Sequence, residues 1–409
     1  MNSFRRNIPL LALCQAMLVT GMSFIVSTTV LVGYNLATDK SLATLPFAGQ
    51  LLATMLTSIP AAMLMKRIGR KRAFLFATLF GMSGAALCTW AILQHAYLLF
   101  LGGSILLGVF TGFGNYYRFT AADIVAPALK SRAIAYVLAG GIIAAVIGPN
   151  LAIQTRTLIP HALFAGGYAA IISLYVISFA LILLLHLPQH AAVDSGNSAG
   201  RPIREIIRQP KFIIAVTCAM LGYGIMSLLM TATPLAMQHH HHDFTDTAFV
   251  IQWHVLGMFA PAFVTGHLIR RFGLTLIMAS GLLLGVLSVM INLNGSSITH
   301  FWLALFLLGV SWNFLFIGGT TLLTETYTAT ETFKTQAVND LIVFTTVSIT
   351  TFSAGMLQHH FGWRMVNYGA LPALFIILMS LIWLYRINRE RDANYDAALL
   401  QEIASQAEQ

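Results

Sequence analysis

Charged residues are scarce in this chain, at 9% of its 409 residues, while hydrophobic residues make up 57%. A soluble domain carries roughly 25% charged residues, so a soluble chain of this length would have too few charges to cover its surface. Lipid is the solvent that suits so apolar a surface, and we predict an integral membrane protein. Cysteine is scarce too. Cys14, Cys88 and Cys218 lie inside apolar segments, which indicates core residues and neither a disulfide framework nor a zinc site.

Motifs that would indicate other classes of function are absent from the sequence. No Gly-x-x-x-x-Gly-Lys-Ser/Thr loop is present, so we predict no bound ATP and expect no cofactor. His, Asp and Glu occur singly in the apolar segments, whereas an intramembrane enzyme needs them clustered. The histidine run at 239–242 is interpreted as a solvated loop, because a flexible run that binds zinc or copper loosely is a poor specific metal site.

Twelve apolar runs dominate the sequence. Each is long enough for a membrane-spanning helix of about 20 residues, and none shows the alternation of β-barrel strands. The pattern therefore predicts an all-α protein with twelve transmembrane helices. The predicted spans are 7–32, 42–65, 73–93, 98–124, 133–155, 161–186, 212–236, 246–269, 274–294, 300–324, 335–357 and 365–387.

A polar stretch at 190–211 divides the runs into two sets of six. It contains Gly, Ser, Pro and four basic residues, with a short amphipathic segment that suits a membrane surface. The predicted organisation is an N-terminal six-helix bundle at 1–189, a cytoplasmic linker at 190–211, a C-terminal six-helix bundle at 212–388 and a cytoplasmic tail at 389–409.

Lys and Arg are distributed unevenly between alternate loops. If the N-terminus is cytoplasmic, 19 of them lie in cytoplasmic segments and 3 in the opposite loops. This asymmetry favours both termini on the cytoplasmic side of the inner membrane. The net charge of +9 is thus explained by topology, and nucleic acid is not expected as a partner. We expect a monomer.

Two matched features indicate that the halves are copies of one unit. A small-xxx-basic-Arg-x-Gly loop follows both the second and the eighth predicted helix, with glycines at Gly69 and Gly273. Leu-Leu-Gly-Val occurs in both the fourth and the tenth, with glycines at Gly108 and Gly309. The offsets, 204 and 201 residues, are nearly equal. Repeated halves are typical of secondary transporters.

With these features the chain resembles the major facilitator superfamily, whose loop signature after the second helix is Gly-x-x-x-Asp-Arg-x-Gly-Arg-Arg/Lys. Here Ala62 replaces the Gly and Lys66 replaces the Asp. The resemblance implies two pseudo-symmetric bundles that work by alternating access. It also implies a conformational latch of basic loops paired with acids at helix ends, although the basic residues could serve topology alone. The expected latch residues are Lys66, Arg67, Gly69, Arg70, Asp123, Arg270, Arg271 and Gly273, with Asp340 a further possible partner of Lys66.

Ionisable groups inside a membrane are costly, so each one is a functional candidate. Arg118 in the fourth helix would attract an anionic or carbonyl-rich solute, although it could also pair with an acid or reach the inner surface. His254 and Asp340 are the candidates for a coupling proton, although His254 could be a buried structural histidine. The candidate substrate-binding residues are Asn115, Tyr117, Arg118, Gln252, Trp312 and Asn313, with Tyr223, Thr231 and Thr233 as weaker options.

The functional prediction is a secondary transporter, proton-coupled, for a small metabolite or vitamin-like compound. Gly148-Pro149 resembles the Gly-Pro of the superfamily's antiporter motif, where it would kink the fifth helix, and this keeps a proton-antiport efflux pump as the alternative. A packing seam of small residues would explain the same pair. An intramembrane enzyme or a channel is the remote alternative.

Overall fold

The computed structural model describes residues 2–125, 130–187, 200–328 and 331–407. The described residues are helical apart from turns and loops, because a backbone in hydrocarbon must satisfy its hydrogen bonds within each segment. The helices of the N-terminal half are α1 (Asn2–Leu36), α2 (Leu45–Ile68), α3 (Arg70–Leu93), α4 (Tyr97–Gly114), α5 (Tyr117–Asp123), α6 (Lys130–Thr155) and α7 (Ala165–Leu184).

The C-terminal half begins after the short linker helix α8 (Ile203–Ile206). Its helices are α9 (Pro210–His239), α10 (Phe244–Phe259), α11 (Ala262–Phe272), α12 (Leu274–Asn294), α13 (Ile298–Thr324) and α14 (Thr332–Ala407). Residues 188–199, which hold the first ten residues of the predicted linker, lie outside the described part, so the predicted domain limits stay predictions.

Every predicted span falls on a helix. Nine helices of the described chain are long and apolar enough to cross a membrane, or ten when the bent pair α10 and α11 is one span. Two features explain the difference from twelve. Of α6, the described side chains form an unbroken stretch only over Gly140–Thr155, so that helix is not counted. The 76 residues of α14 count as one span, although they would extend about 115 Å if straight, almost four times a hydrocarbon core. Non-helical torsion angles at Gly362 (φ 75°, ψ 177°) divide α14 into two arms, 332–361 and 363–407.

The two halves pack their helices with the same local geometry. A Cβ on Gly108 of α4 would lie 2.2 Å from the carbonyl oxygen of Gln50 in α2. A Cβ on Gly309 of α13 would lie 2.5 Å from the carbonyl oxygen of His254 in α10. Gly108 and Gly309 are 201 residues apart, and Gln50 and His254 are 204 apart, the offsets that the sequence shows. Only glycine allows backbones to approach so closely.

Small residues also join α6 to α1. A Cβ on Gly148 would lie 2.5 Å from the Cβ of Ser23, and one on Gly140 would lie 2.7 Å from the carbonyl oxygen of Ala12. Pro149 lies within the continuous helix α6. Close packing against α1 therefore accounts for the small residues of this segment. The kink and the antiport role stay predictions.

Candidate functional site

Loop contacts define two opposite faces of the bundle. The Tyr97 hydroxyl donates to the carbonyl of Leu42 at 2.7 Å, and the His242 ring lies 2.7 Å from the carbonyl of Ser296. We call this end of the molecule the far face. At the other end, Asn7 donates to the carbonyl of His186 at 2.8 Å. The linker residues from 200 onwards lie there as well, and we call that end the linker face.

The halves meet toward the far face. The Thr44 hydroxyl, just before α2, donates to the carbonyl of Phe352 in α14 at 2.9 Å. The rings of Phe164 and Phe244 are 4.8 Å apart, and the Arg156 guanidinium lies 5.2 Å from the Phe244 ring centroid. These contacts close the space between the halves at the far face.

Deeper in the bundle, Asn150 of α6 donates a hydrogen bond to the Gln252 side chain of α10 at 3.1 Å. Gln252, a predicted substrate-binding residue, is thus engaged in a contact between the halves. Beyond this level, the Thr345 hydroxyl on the first arm of α14 contacts the Met55 sulfur of α2 at 3.6 Å, and Asp340, nearer the linker face, is exposed. From the closed far face and the exposed Asp340 we infer that the space between the halves opens toward the linker face.

Five aromatic side chains form one wall of this space, and we call them the aromatic wall. The Trp312 and Phe316 rings of α13 are stacked, with centroids 5.0 Å apart and planes at 10°. The edge of Tyr223 from α9 meets both rings at 5.3 and 5.4 Å. Phe259 of α10 lies 6.2 Å from Trp312, and Phe344 of α14 lies 6.0 Å from Tyr223. Four helices thus contribute to a single patch of π surface.

Part of the aromatic wall is accessible. Tyr223, Phe259, Phe316 and Phe344 are half-buried, while Trp312 is 8% exposed and its buried indole nitrogen has no hydrogen-bond partner. The helix α9, which carries Tyr223, packs against α1 of the other half as well as α13 and α14, so the wall lies on the side of the C-terminal half that borders the N-terminal half. Phe316, the more exposed ring of the stacked pair, can continue the stack onto a flat solute.

The matched positions of the N-terminal half carry different chemistry. Thr111 and Asn115 lie 201 residues before Trp312 and Phe316, and they are polar where the aromatic wall is apolar. Thr111 and the buried Gln50 both contact the Met22 sulfur, at 3.4 and 3.2 Å. The Oε1 atom of Gln50 is buried without a partner. The N-terminal side of the space therefore provides hydrogen-bonding groups, whereas the C-terminal side provides the aromatic wall.

Arg118 and Asp340 face each other from the two halves. They are close enough for electrostatic attraction, yet no ion pair within 4.0 Å joins them in this conformation. The Asp340 carboxylate accepts a hydrogen bond from Asn339 at 3.0 Å. Sequence reasoning missed Tyr116, which also interacts with Asp340 and donates its hydroxyl to the carbonyl of Ser58 at 2.9 Å. The predicted pairing of Asp340 with Lys66 is not part of this arrangement.

Three predicted site residues lie in the protein interior. Tyr117 is fully buried, with its ring 4.7 Å from that of Phe74. His254 is fully buried, and its Nδ1 atom lies 2.7 Å from the carbonyl of Leu305, while Nε2 has no partner. Asn313 bonds to Thr265 at 2.6 Å and to the carbonyl of Met258 at 2.7 Å. Helical spacing places these residues on helices but does not show which are interior, and their functional roles stay predictions.

The two latch loops have one backbone conformation. Gly69 has φ 84° and ψ 152°, and Gly273 has φ 85° and ψ 152°. Each glycine N–H donates to the carbonyl four residues earlier, Met65 and Ile269 respectively. Lys66, Arg67, Arg270 and Arg271 thus end their helices at matched sharp turns on the linker face. The side chain of Asp123 lies outside the described residues, and the latch stays a prediction.

Within the described ranges, no group of three or more His, Cys, Asp or Glu is arranged to hold a metal ion. All three cysteines are buried and free.

Solved structures of transporters share this fold. A POT family transporter in complex with 5-aminolevulinic acid superposes with a TM-score of 0.74 at 13% identity, covering 93% of this chain and 96% of that one. A second POT family structure, with a thioalcohol-conjugated peptide, gives a TM-score of 0.75 at 13% identity, with the same coverage. At this identity the likeness concerns the fold.

Sequence relatives are transporters as well. The riboflavin transporter RfnT of Brucella anthropi is 39% identical over 379 residues, which cover 92% of this chain and 95% of that protein. The uncharacterized MFS-type transporter YddS of Bacillus subtilis is 23% identical over 409 residues, covering 95% of this chain and 93% of that protein. The family model described as Major Facilitator Superfamily matches residues 11–332 and 218–404. The protein is a multi-pass membrane transporter of small solutes and not an enzyme, and it belongs to the Major Facilitator Superfamily.

Proposed function

We propose that this protein carries riboflavin or a closely related flavin across the cytoplasmic membrane by alternating access, coupled to protons. The relative that transports riboflavin is 39% identical over nearly the whole chain, which supports a shared solute. The metabolite or vitamin-like substrate that the sequence favours is consistent with this proposal.

The aromatic wall is the observation that carries the proposal. A flavin presents a flat tricyclic ring, a dione edge with hydrogen-bonding groups and a flexible polyol chain. The stacked pair Trp312 and Phe316 offers the parallel π surface that such a ring needs, and each aromatic pair contributes about 0.5–1.5 kcal/mol beyond its buried area. Thr111, Gln50 and Asn115 on the opposite side would bond the dione and polyol groups.

Arg118 and Asp340 are the proposed coupling pair. They come from opposite halves and attract each other without touching in the conformation open at the linker face. Protonation of Asp340 would remove the attraction, so proton binding would change the balance between the conformations. His254, buried between α10 and α13, is the second candidate for the proton.

The asymmetry of Lys and Arg supports the linker face as the cytoplasmic side, with both termini inside. The conformation described would then be open to the cytoplasm and closed to the outside.

The test is flavin flux in proteoliposomes that contain the purified protein. We expect saturable uptake of riboflavin, faster than in protein-free liposomes and stimulated by an imposed pH gradient. The direction of the stimulating gradient separates symport from the antiport alternative. Saturable flux of another solute class with no riboflavin flux would contradict the proposal.

A further inference from the structure

A second cavity lies at the far face, apart from the aromatic wall. Its volume is about 950 Å³, within the range of roughly 300–1,000 Å³ that is typical of small-molecule sites. The ends of α9 and α12 and the turn between the arms of α14 form most of its wall. Tyr34 and Lys40, from the N-terminal half, complete it.

Buried polar groups in the wall lack partners. Asn292 is 3% exposed, and neither its amide nitrogen nor its amide oxygen has a hydrogen-bond partner. The same holds for the side-chain oxygen of Gln358 and for the indole nitrogen of Trp363, which is 6% exposed. Buried polar atoms without partners are uncommon, because an unmade hydrogen bond is costly. Since these three residues line the cavity, a small rotation of their side chains toward a bound ligand would give the donors and acceptors their partners.

The wall is also basic. Lys40, Arg364 and three histidines, His239, His240 and His359, belong to the lining, and none of the lining residues is acidic. Asp39, a carboxylate outside the lining, interacts with His359 and His360. Lys40 is fixed in place, since its ammonium donates to the carbonyls of Tyr34 and Ala37 at 2.6 and 2.8 Å.

We propose that the far-face cavity binds an organic anion that combines an aromatic ring with a phosphate or carboxylate group. Arg364 and the histidines would bind the oxyanion. Asn292, Gln358 and Trp363 would bond the polar edge of the ring. This site lies at the far face, apart from the aromatic wall, and the proposal does not depend on riboflavin being the transported solute.

Binding would favour one conformation. Tyr34 and Lys40 belong to one half and the remaining wall to the other, so the cavity is complete only while the far face is closed. A ligand that contacts both halves binds this conformation more tightly and shifts the population toward it. The anion would therefore inhibit transport without competing with the solute for the aromatic wall.

The experiment is a titration of the full-length protein in nanodiscs with flavin mononucleotide, followed by flavin fluorescence. Riboflavin, which lacks only the phosphate, is the uncharged probe, and inorganic phosphate is the anion-only competitor. We expect flavin mononucleotide to bind more tightly than riboflavin, and Arg364→Gln to weaken it about tenfold, the loss of roughly one charge-assisted bond. Arg389→Gln, an exposed site near the linker face, makes the same change in charge and should leave the affinity unchanged.

Three outcomes would overturn the proposal. Flavin mononucleotide affinity could be insensitive to Arg364→Gln, or it could be lost in Arg118→Gln instead, which would place the anion in the central cavity. Inorganic phosphate could displace the probe at equal concentration, which would leave no role for the ring. Loss of riboflavin flux in proteoliposomes would contradict the proposed function alone, because the comparison of Arg364→Gln with Arg389→Gln reads a site at the far face.

Discussion

The indole of Trp312 lies parallel to the ring of Phe316 one helical turn away, with centroids 5.0 Å apart. The pair presents a stack that a third flat ring can continue. Trp312→Ala should therefore weaken riboflavin affinity about twofold to tenfold, because one aromatic contact contributes about 0.5–1.5 kcal/mol. Trp312→Phe should retain part of the affinity.

The measurement is the half-saturating riboflavin concentration for uptake. Trp90→Ala serves as the matched control, because Trp90 is 56% exposed and lies outside the aromatic wall. Equal effects of the two alanine variants would show that the loss is not specific to the wall.

Asp340→Asn should abolish coupling while leaving exchange intact. The amide keeps the shape of the carboxylate and its bond with Asn339, but it neither binds a proton nor attracts Arg118. A gradient of one pH unit supplies about 1.4 kcal/mol per proton, enough for about tenfold accumulation. We expect this accumulation to vanish, whereas riboflavin counterflow without a gradient continues.

Glu205→Gln is the control for Asp340→Asn, since Glu205 is an exposed carboxylate of the linker. Full accumulation in Asp340→Asn would show that another group, with His254 the first candidate, carries the proton.

Gly309→Ala should destabilise the C-terminal half. The added methyl would lie 2.5 Å from the carbonyl oxygen of His254, so α13 and α10 must move apart. Overpacking of this kind costs about 1–3 kcal/mol. Gly266→Ala in α11 is the matched control, because a Cβ there meets nothing within 4 Å, and better helix propensity should make it neutral or stabilising.

The measurement is the melting temperature of the two glycine variants in the same detergent. A Gly309→Ala protein as stable as the Gly266→Ala protein would contradict the tight contact.

Arg201→Gln should lower the melting temperature near pH 7. The Arg201 guanidinium and backbone N–H bond to the Glu331 carboxylate at 2.7–2.9 Å. These bonds from Arg201 hold the pKa of Glu331 well below its usual range. The stabilisation is thus present above the ordinary pKa of a glutamate and is lost as the pH falls toward the lowered value.

The stability difference between Arg201→Gln and wild type should therefore shrink in acid. Arg204→Gln, which removes an exposed charge from the same linker, should show no such pH dependence. A difference that stays constant down to about pH 3 would contradict the linkage.

The sequence by itself determined that the protein lies in lipid, that its spans are helices and that its two halves repeat one six-helix unit. Scarce charge and long apolar runs leave helices as the way to satisfy the backbone in lipid. The matching turns at Gly69 and Gly273 occur at the offset that the sequence shows. These features depend on local composition and backbone conformation, which neighbouring residues along the chain dictate. The repeated glycines Gly108 and Gly309 are visible in the sequence too, whereas the helix contacts that they allow are tertiary.

The tertiary structure alone decided which side chains line the space between the halves. Tyr116 rather than Tyr117 approaches Asp340, and Asn313 bonds between helices. The aromatic wall joins α9, α10, α13 and α14, whose residues are up to 121 positions apart. In a membrane protein the lipid-facing and interior sides of a helix are both apolar, so periodicity cannot tell one from the other. Only the packing of the helices assigns each ring to the cavity, to the core or to lipid.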